Sequence, residues 1–537
     1  MADPPSPDPQ PAAAVGLADD VVRRATEALA RAGGVDAGQV VAYDLAHAAA
    51  AVGAARAMLE FGANGALERR LACGFVADML ADLSSRTVGR EEHWGVTGDW
   101  LTPASAFVRS YRDPAFLAPL ATTPGPRHLG EDYELVGATF HRFAEERIRP
   151  HAERVHRTNA DVPEEIIQGL AGLGGFGLSV PEEYGGGATG GEGDYLGMVV
   201  ATEELSWGSL GIGGSLVTRP EILTRALVNG GTEAQKRHWL PRLASGEVLV
   251  AVAVTEPDFG SDVAGITTAA RPTAGGWLVS GVKTWCTFAA RAGALMLLAR
   301  TDPDRSRAHR GLSMFIVEKE RGDGHGFVFT GDPAAEGRSD PPGRMEGRPI
   351  DTLGYRGMHS YELALENWFV PDANLIGGSE GLGKGFYLQM QGFENGRLQT
   401  AARAVGVMQA AYEAACAYAA DRIVFGSPIA AYQLTQVKLA RMAIVTQATR
   451  QFALSVARSM GRGGGSLEAS MVKAYACRAA EWVTREAMQI HGGLGYAEEV
   501  PVSRYFADAR VLPIFEGADE TLALKVIARR LLERATG

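Results

Sequence analysis

The chain has 537 residues, 46% of them hydrophobic and 21% charged, with a net charge of −11. That length accommodates roughly two to four domains of ordinary globular composition, and the acidic balance argues against a nucleic-acid binder, which carries a basic face. Cys73, Cys286, Cys416 and Cys477 stand far apart, and neither they nor the eleven histidines show metal-ligand spacing. No metal site is therefore expected, and the cysteine usage points to a reducing, cytoplasmic compartment.

The first twenty residues are rich in Pro, Ala and Asp and lack Lys and Arg. They match neither a secretory nor a mitochondrial leader, and residues 1–20 are expected to form a disordered tail. No apolar run reaches the roughly 18 residues of a membrane span. Residues 21–126 read as a helical extension. Leu45, Val52 and Leu59 recur at heptad spacing, Leu67, Leu71, Phe75 and Met79 form a second stripe, and Gly62 to Gly65 mark a turn between two alanine-rich helices. Prolines 119, 124 and 126 close this segment.

Residues 127–250 are expected to form an α-helical domain, with Tyr133, Val136, Phe140, Phe143 and Ile148 on one face. Gly172–Gly177 spells GxGxxG, but it follows an amphipathic helix, whereas a dinucleotide fingerprint follows a strand. From residue 251 to 370 the texture becomes β. Apolar runs at 248–254, 277–281, 294–298 and 313–317, separated by turns, suggest a compact antiparallel domain. Residues 319–345 read as a polar Gly/Pro-rich loop. Long helical patterns return over 371–537, and a four-helix bundle is expected there.

Several stretches carry chemistry. Val254-Thr255-Glu256-Pro257-Asp258-Phe259-Gly260-Ser261-Asp262 reads as a strand breaking into a turn that exposes N–H groups and hydroxyls. Trp285 and Thr287 fall two residues apart, which on a strand sets a ring face beside a hydroxyl. Arg422, Phe425 and Gln433 surround a helix break, and Gln489-Ile490-His491-Gly492-Gly493 ends a helix on glycines. Taken singly, each has a plainer explanation in core packing or a surface loop. Near the end, Glu516 stands between Phe515 and Gly517. An aromatic neighbour excludes water, which strengthens a carboxylate as a base, and glycine admits a ligand close to the backbone. A solvated acidic loop is the alternative, since Asp519 and Glu520 follow.

Taken together, TEPDFGSD (255–262), WCT (285–287), EGLGKGF (380–386), RIVFG (422–426), QIHGGLGY (489–496) and FEG (515–517) resemble the acyl-CoA dehydrogenase family in order and spacing. The resemblance implies a multi-domain α+β fold: an N-terminal α-helical domain, a central antiparallel β domain and a C-terminal four-helix bundle, here with an added helical extension. It implies a homo-oligomeric FAD enzyme that passes electrons to an electron-transferring flavoprotein. By the same resemblance, Val254, Thr255, Ser261, Trp285, Cys286, Thr287, Arg422, Phe425, Gln433, Gln489, Gly492 and Gly493 contact the cofactor. Ser261, Glu394, Arg397 and Gly517 contact the acyl-CoA, and Glu516 removes the α-proton while a hydride leaves for flavin N5. Some relatives carry their glutamate where Gly396 stands here, and a glycine cannot serve. Ala518 and Phe288 replace a Thr and an Asn common in the family.

The segments RPEILTRAL (219–227), GRMEGR (343–348), DTLGYRGMHSYEL (351–363) and AYDLAHAA (42–49) resemble a branch of the family acting on a short branched dicarboxylic thioester. Methylsuccinyl-CoA, oxidised to mesaconyl-CoA, is the expected substrate. Arg219 is the candidate for its distal carboxylate; a pairing with Glu221, exposure to solvent, or Arg356 and His359 as rival partners are the alternatives. Another short-chain acyl-CoA dehydrogenase, an acyl-CoA oxidase and a silent flavin-binding scaffold also remain open.

Overall fold

The computed structural model describes residues 11–322, 325–334 and 337–536. They form two compact units, one of Met1–Ala138 with Thr400–Gly537 and the other of Thr139–Gln399. Among the described residues, no helix is long and apolar enough to cross a membrane.

The first unit is helical. Its N-terminal part comprises the helices Pro11–Arg31, Gln39–Gly62 and Ala66–Thr87, with shorter pieces reaching Leu120. The first helix begins inside the segment expected to be a disordered tail, because Ala14, Val15 and Ala18 bury one face; residues 1–10 lie outside the described residues. The C-terminal part comprises Gln433–Gly461, Ser466–His491, Val502–Ala509 and a last helix that runs from Asp519 to Thr536 through a π turn at Leu522–Ile527.

The extension packs on these C-terminal helices. Gln39–Gly62 lies against Gln433–Gly461, Ser466–His491 and the π turn. Small residues allow the close approach: a Cβ on Gly53 would stand 2.7 Å from the Phe452 ring, and one on Gly74 would stand 2.9 Å from Ile444. Polar ties complete the contact. Arg441 grips Asp78 at 2.8 and 3.1 Å, the Tyr412 hydroxyl donates to the Ala121 carbonyl at 2.8 Å, and Gln447 donates to the Pro126 carbonyl at 2.8 Å.

In the second unit, helices Glu192–Gly208, Thr218–Gly230 and Glu233–Ala244 precede an eight-stranded sheet. Its strands are β1 (Val250–Ala253), β2 (Ala269–Thr273), β3 (Gly276–Lys283), β4 (Ala294–Arg300), β5 (Leu312–Glu318), β6 (Phe327–Gly331), β7 (Gly343–Ile350) and β8 (Ser360–Pro371). The order is β1-β4-β2-β3-β8-β7-β6, with β5 also paired to β4. The sheet is mixed rather than wholly antiparallel, since β1 runs parallel to β4, and β2 meets β4 in parallel at Ala269 and Arg300. Apolar runs carry no direction, and the β1–β4 connection, which contains β2 and β3, is long enough for a parallel crossover.

The segment expected to be a loop at 319–345 holds β6 and the start of β7, paired from Phe327↔Gly347 to Gly331↔Gly343. Gly347 is no loop breaker: a Cβ there would meet the Phe327 ring at 2.3 Å, so the glycine makes room for the aromatic across the pair. Ile222, Leu223 and Leu227 share one core with Trp239, Leu240, Val250, Met296, Leu298, Met314 and Ile316. The stretches read as separate domains at 127–250 and 251–370 are thus joined by common packing. The long helix Gly385–Asp421 follows the sheet.

Candidate active site

Within the second unit, β1 ends at Ala253 and the chain turns between Glu256 and Phe259, which exchange backbone hydrogen bonds at 3.1 Å. Val254 is buried, Thr255 is half-buried and Ser261 is exposed at the rim. A buried ion pair supports this corner. Lys283 Nζ donates to Glu256 Oε1 and to the Val254 carbonyl, both at 2.9 Å.

β3 ends at Lys283, so Trp285 and Thr287 do not share a strand face as expected. Trp285 takes a φ of 57°, and its carbonyl accepts the Thr287 N–H at 2.9 Å. This tight turn leaves the indole 56% exposed and Thr287 buried, with its hydroxyl 3.0 Å from that of Ser360. A left-handed backbone on a tryptophan costs energy and persists only where neighbours fix it. Here Thr284 donates to the Thr255 carbonyl at 2.8 Å, and Cys286 donates to the Tyr361 carbonyl at 3.0 Å. Cys286 was expected to touch the cofactor, but its side chain is fully buried, its N–H is engaged, and burial pushes its thiol up to about 12. Its sulfur lies 3.8 Å from the Thr284 carbonyl.

Arg219 opens the helix Thr218–Gly230 inside a continuously buried stretch and is itself 7% exposed. Its guanidinium donates to the Tyr355 hydroxyl at 3.2 Å. Glu221 accepts from Arg225 at 3.1 Å and also takes the Ser179 hydroxyl and the Asn395 amide. Asn395 lies between Glu394, half-buried, and Arg397, 8% exposed. Both rivals of Arg219 are engaged elsewhere: Arg356 donates to the carbonyls of His156 and Thr352 at 2.7 and 3.0 Å, and His359 Nε2 lies 3.2 Å from Asp161. Sequence spacing did not group Asp161, His325 and His359, whose ligand-type atoms fall within 4.8 Å of one another. Burial favours the neutral form of Asp161, but His359, His325 and Arg291 outweigh it and hold the carboxyl low.

In the first unit, Arg422–Gly426 forms a hairpin rather than a plain helix break. Val424 pairs with Ser427, and Phe425 and Gly426 form its tip at φ values of 51° and 83°. Two positive φ values are the signature of a type I′ turn. Phe425 is 95% exposed. Arg422 and Gln433 are also exposed, as are Gln489, Gly492 and Gly493 beyond the next helix pair. The Tyr418 and His491 rings stack at 4.3 Å and draw the two segments to one end of the unit.

Glu516 and Gly517 occupy a turn between Val502–Ala509 and the last helix, with successive φ values of 54° and 97°. The Asp519 N–H closes the turn on the Pro513 carbonyl at 3.0 Å. Lys473 Nζ donates to the Gly517 carbonyl at 2.6 Å, and Arg403 lies over the Phe515 ring at 4.8 Å. Glu516 is half-buried.

Each unit by itself offers surface of the kind a flavin nucleotide uses. In the second unit Trp285 offers an exposed flat face; in the first, Phe425 offers one, and a Cβ placed on Gly426, Gly492 or Gly493 would meet nothing within 4 Å, so the backbone there is open to a ligand. Exposed aromatics and open glycines are surfaces on which a flat nucleotide can stack and approach the backbone closely. Models of the acyl-CoA dehydrogenase N-terminal, middle and C-terminal domains match residues 130–247, 251–368 and 383–532.

The chain is 44% identical over 412 residues to (2S)-methylsuccinyl-CoA dehydrogenase of Cereibacter sphaeroides, covering 76% of this chain and 71% of that protein. A glutaryl-coenzyme A dehydrogenase solved with glutaryl-CoA superposes with a TM-score of 0.67 at 30% identity, over 76% of this chain and 96% of that one. A Mycobacterium smegmatis glutaryl-CoA dehydrogenase in complex with FADH2 gives a TM-score of 0.65 at 26% identity, over 76% and 96%. The chain belongs to the acyl-CoA dehydrogenase family, the FAD-dependent oxidoreductases of acyl-CoA thioesters.

Proposed function

We propose that this enzyme α,β-dehydrogenates a short branched dicarboxylic thioester, converting (2S)-methylsuccinyl-CoA to mesaconyl-CoA, with Glu516 as the base. The observation that carries the reading is the Glu516–Gly517 turn. A glutamate in the left-handed region is strained, and such strain concentrates at functional positions. The Lys473 and Arg403 contacts hold that turn on its inner side. A fixed carboxylate beside a glycine can meet an acidic carbon at short range, and orientation of this kind removes much of a barrier. Glu516 takes the α-proton, and FAD, when bound, supplies the acceptor for the hydride from Cβ.

Arg219 supports the dicarboxylic assignment. A guanidinium that is 7% exposed in an apolar stretch suits a carboxylate better than an alkyl terminus. The 44% identical relative carries the same substrate in its name. Glu394 and Arg397, on the same long helix as Asn395, are assigned to the CoA portion. An electron-transferring flavoprotein is the assigned acceptor. A homo-oligomer, in which another subunit or its nucleotide covers Phe425, accounts for an aromatic standing in water.

The test is a screen of acyl-CoAs, both methylsuccinyl-CoA stereoisomers included, against the FAD-loaded protein, with flavin absorbance as the signal. The (2S) isomer should bleach the flavin fastest, and Glu516→Gln should bind FAD yet stay yellow. Bleaching by Glu516→Gln at the parent rate removes Glu516 as the base, and faster bleaching by butyryl-CoA removes the dicarboxylic assignment.

A further inference from the structure

The extension reaches the turn that carries Glu516. Tyr43 and His47 lie four residues apart on the helix Gln39–Gly62, so both side chains project from one face. Their rings meet edge to face at 4.6 Å. Both converge on one oxygen of Asp519: the Tyr43 hydroxyl donates to Oδ2 at 2.5 Å, and His47 Nε2 stands 3.2 Å from the same atom. Arg478 donates to the Tyr43 hydroxyl at 3.3 Å.

His47 is 4% exposed and Asp519 is 13% exposed, so water competes poorly for these bonds. Burial, then the Asp519 carboxylate, pushes the Tyr43 phenol up to about 12, which keeps it a donor at neutral pH. Burial lowers His47 against the pull of Asp519, so its role there is that of a neutral Nε2–H donor.

Asp519 is three residues beyond Glu516, and its own N–H closes the turn on Pro513. The turn is therefore fixed from two sides. Lys473 holds the Gly517 carbonyl from within the C-terminal helices, and the extension holds Asp519. Positive φ at Glu516 and Gly517 persists only while the surroundings over-determine it.

We propose that Tyr43 and His47 are positioning residues for the reaction, setting the Glu516 carboxylate through Asp519. This gives the extension a task in turnover, and it rests on Glu516 being the base. The lever is sufficient: a shift of about 1 Å at a reacting group lowers a rate by about 10²-fold.

The test uses full-length, FAD-loaded Tyr43→Phe, His47→Gln and Asp519→Asn, with Arg56→Ala, an exposed change on the same helix, as the control. Stopped-flow bleaching is read with (2S)-methylsuccinyl-CoA and butyryl-CoA in parallel. Tyr43→Phe and Asp519→Asn should each slow flavin reduction by about 10- to 100-fold, with FAD content, melting temperature and KM close to the parent. The Tyr43→Phe, Asp519→Asn double variant should be no slower than Asp519→Asn alone, because both changes cut one path. The isotope effect on kcat from Cα-deuterated substrate should rise as proton abstraction becomes limiting; a purely structural role would not move it.

Parent-like reduction by Tyr43→Phe and Asp519→Asn, with Glu516→Gln silent, overturns the positioning role and leaves the base in place. A slowing that merely tracks lost FAD or a lower melting temperature overturns it as well. Bleaching by Glu516→Gln overturns the base assignment and this inference with it.

Discussion

Replacing Glu256 with Gln strikes the support of the Val254–Thr255 corner. The Lys283 ammonium beneath it is fully buried, and Glu256 is 4% exposed. The carboxylate accepts from Lys283 at 2.9 Å and from the Thr267 and Thr268 N–H groups at 2.7 and 2.8 Å. Burial alone would push the Glu256 carboxyl up, but the Lys283 charge and the threonine hydrogen bonds outweigh it and hold the group down from 4.5 to about 2. A gap of that size corresponds to roughly 3 kcal/mol at neutral pH. Because the folded value is depressed, this stability is complete above about pH 4.5 and is lost as the pH falls toward 2. Glu256→Gln strands a buried cation, and breaking such a pair costs about 3–5 kcal/mol. At ~2 °C per kcal/mol for a unit of this size, the variant should melt about 6–10 °C below the parent at pH 7. At pH 3 the difference should shrink to roughly half, since the parent has then lost much of the benefit. Calorimetry at both values decides it. A variant melting within ~2 °C of the parent at pH 7, or a difference unchanged at pH 3, refutes the reasoning.

Two further outcomes bear on ligands. Arg219→Ala should raise KM for (2S)-methylsuccinyl-CoA by about 10- to 100-fold, the worth of a charge-assisted bond, and change KM for butyryl-CoA far less; equal effects in steady-state kinetics remove Arg219 from the acyl site. Phe425→Ala removes a ring that is 95% exposed at the hairpin tip, so the melting temperature of the apoprotein should stay put. FAD affinity, read by fluorescence titration, should fall about 10-fold if the ring stacks on the nucleotide, and an unchanged affinity takes Phe425 out of that contact.

What the sequence disclosed followed from how local each signal was. The turn between the two alanine-rich helices was readable because Gly62 to Gly65 interrupts two apolar stripes, and the helices Gln39–Gly62 and Ala66–Thr87 end and begin there. Strands β4 and β5 were readable because both are buried along nearly their whole length and so appear as unbroken apolar runs. Strand direction was not readable, because the parallel β1–β4 pair depends on where β2 and β3 insert. β6 escaped for a related reason: Phe327–Gly331 is a short strand inside a polar, Gly/Pro-rich stretch, and only its pairing with β7 reveals it.

The same division holds at the site. Glu516 and Gly517 stood out in the sequence as a carboxylate beside a glycine, but their left-handed φ values, and the contacts of Lys473 with Gly517 and of Arg403 with the Phe515 ring, belong to the fold. Trp285 and Thr287 looked like neighbours on a strand because period-two spacing assumes extended backbone, and a single positive φ at Trp285 cancels that assumption. The tie from Tyr43 to Asp519 spans 476 residues of sequence. No window along the chain contains both ends, so only the fold brings the extension to the residue that closes the Glu516–Gly517 turn. If Glu516 is the base, the enzyme should therefore lose rate before it loses fold when the helix is altered at Tyr43. This ordering of effects separates a positioning device from a mere cover on the C-terminal helices.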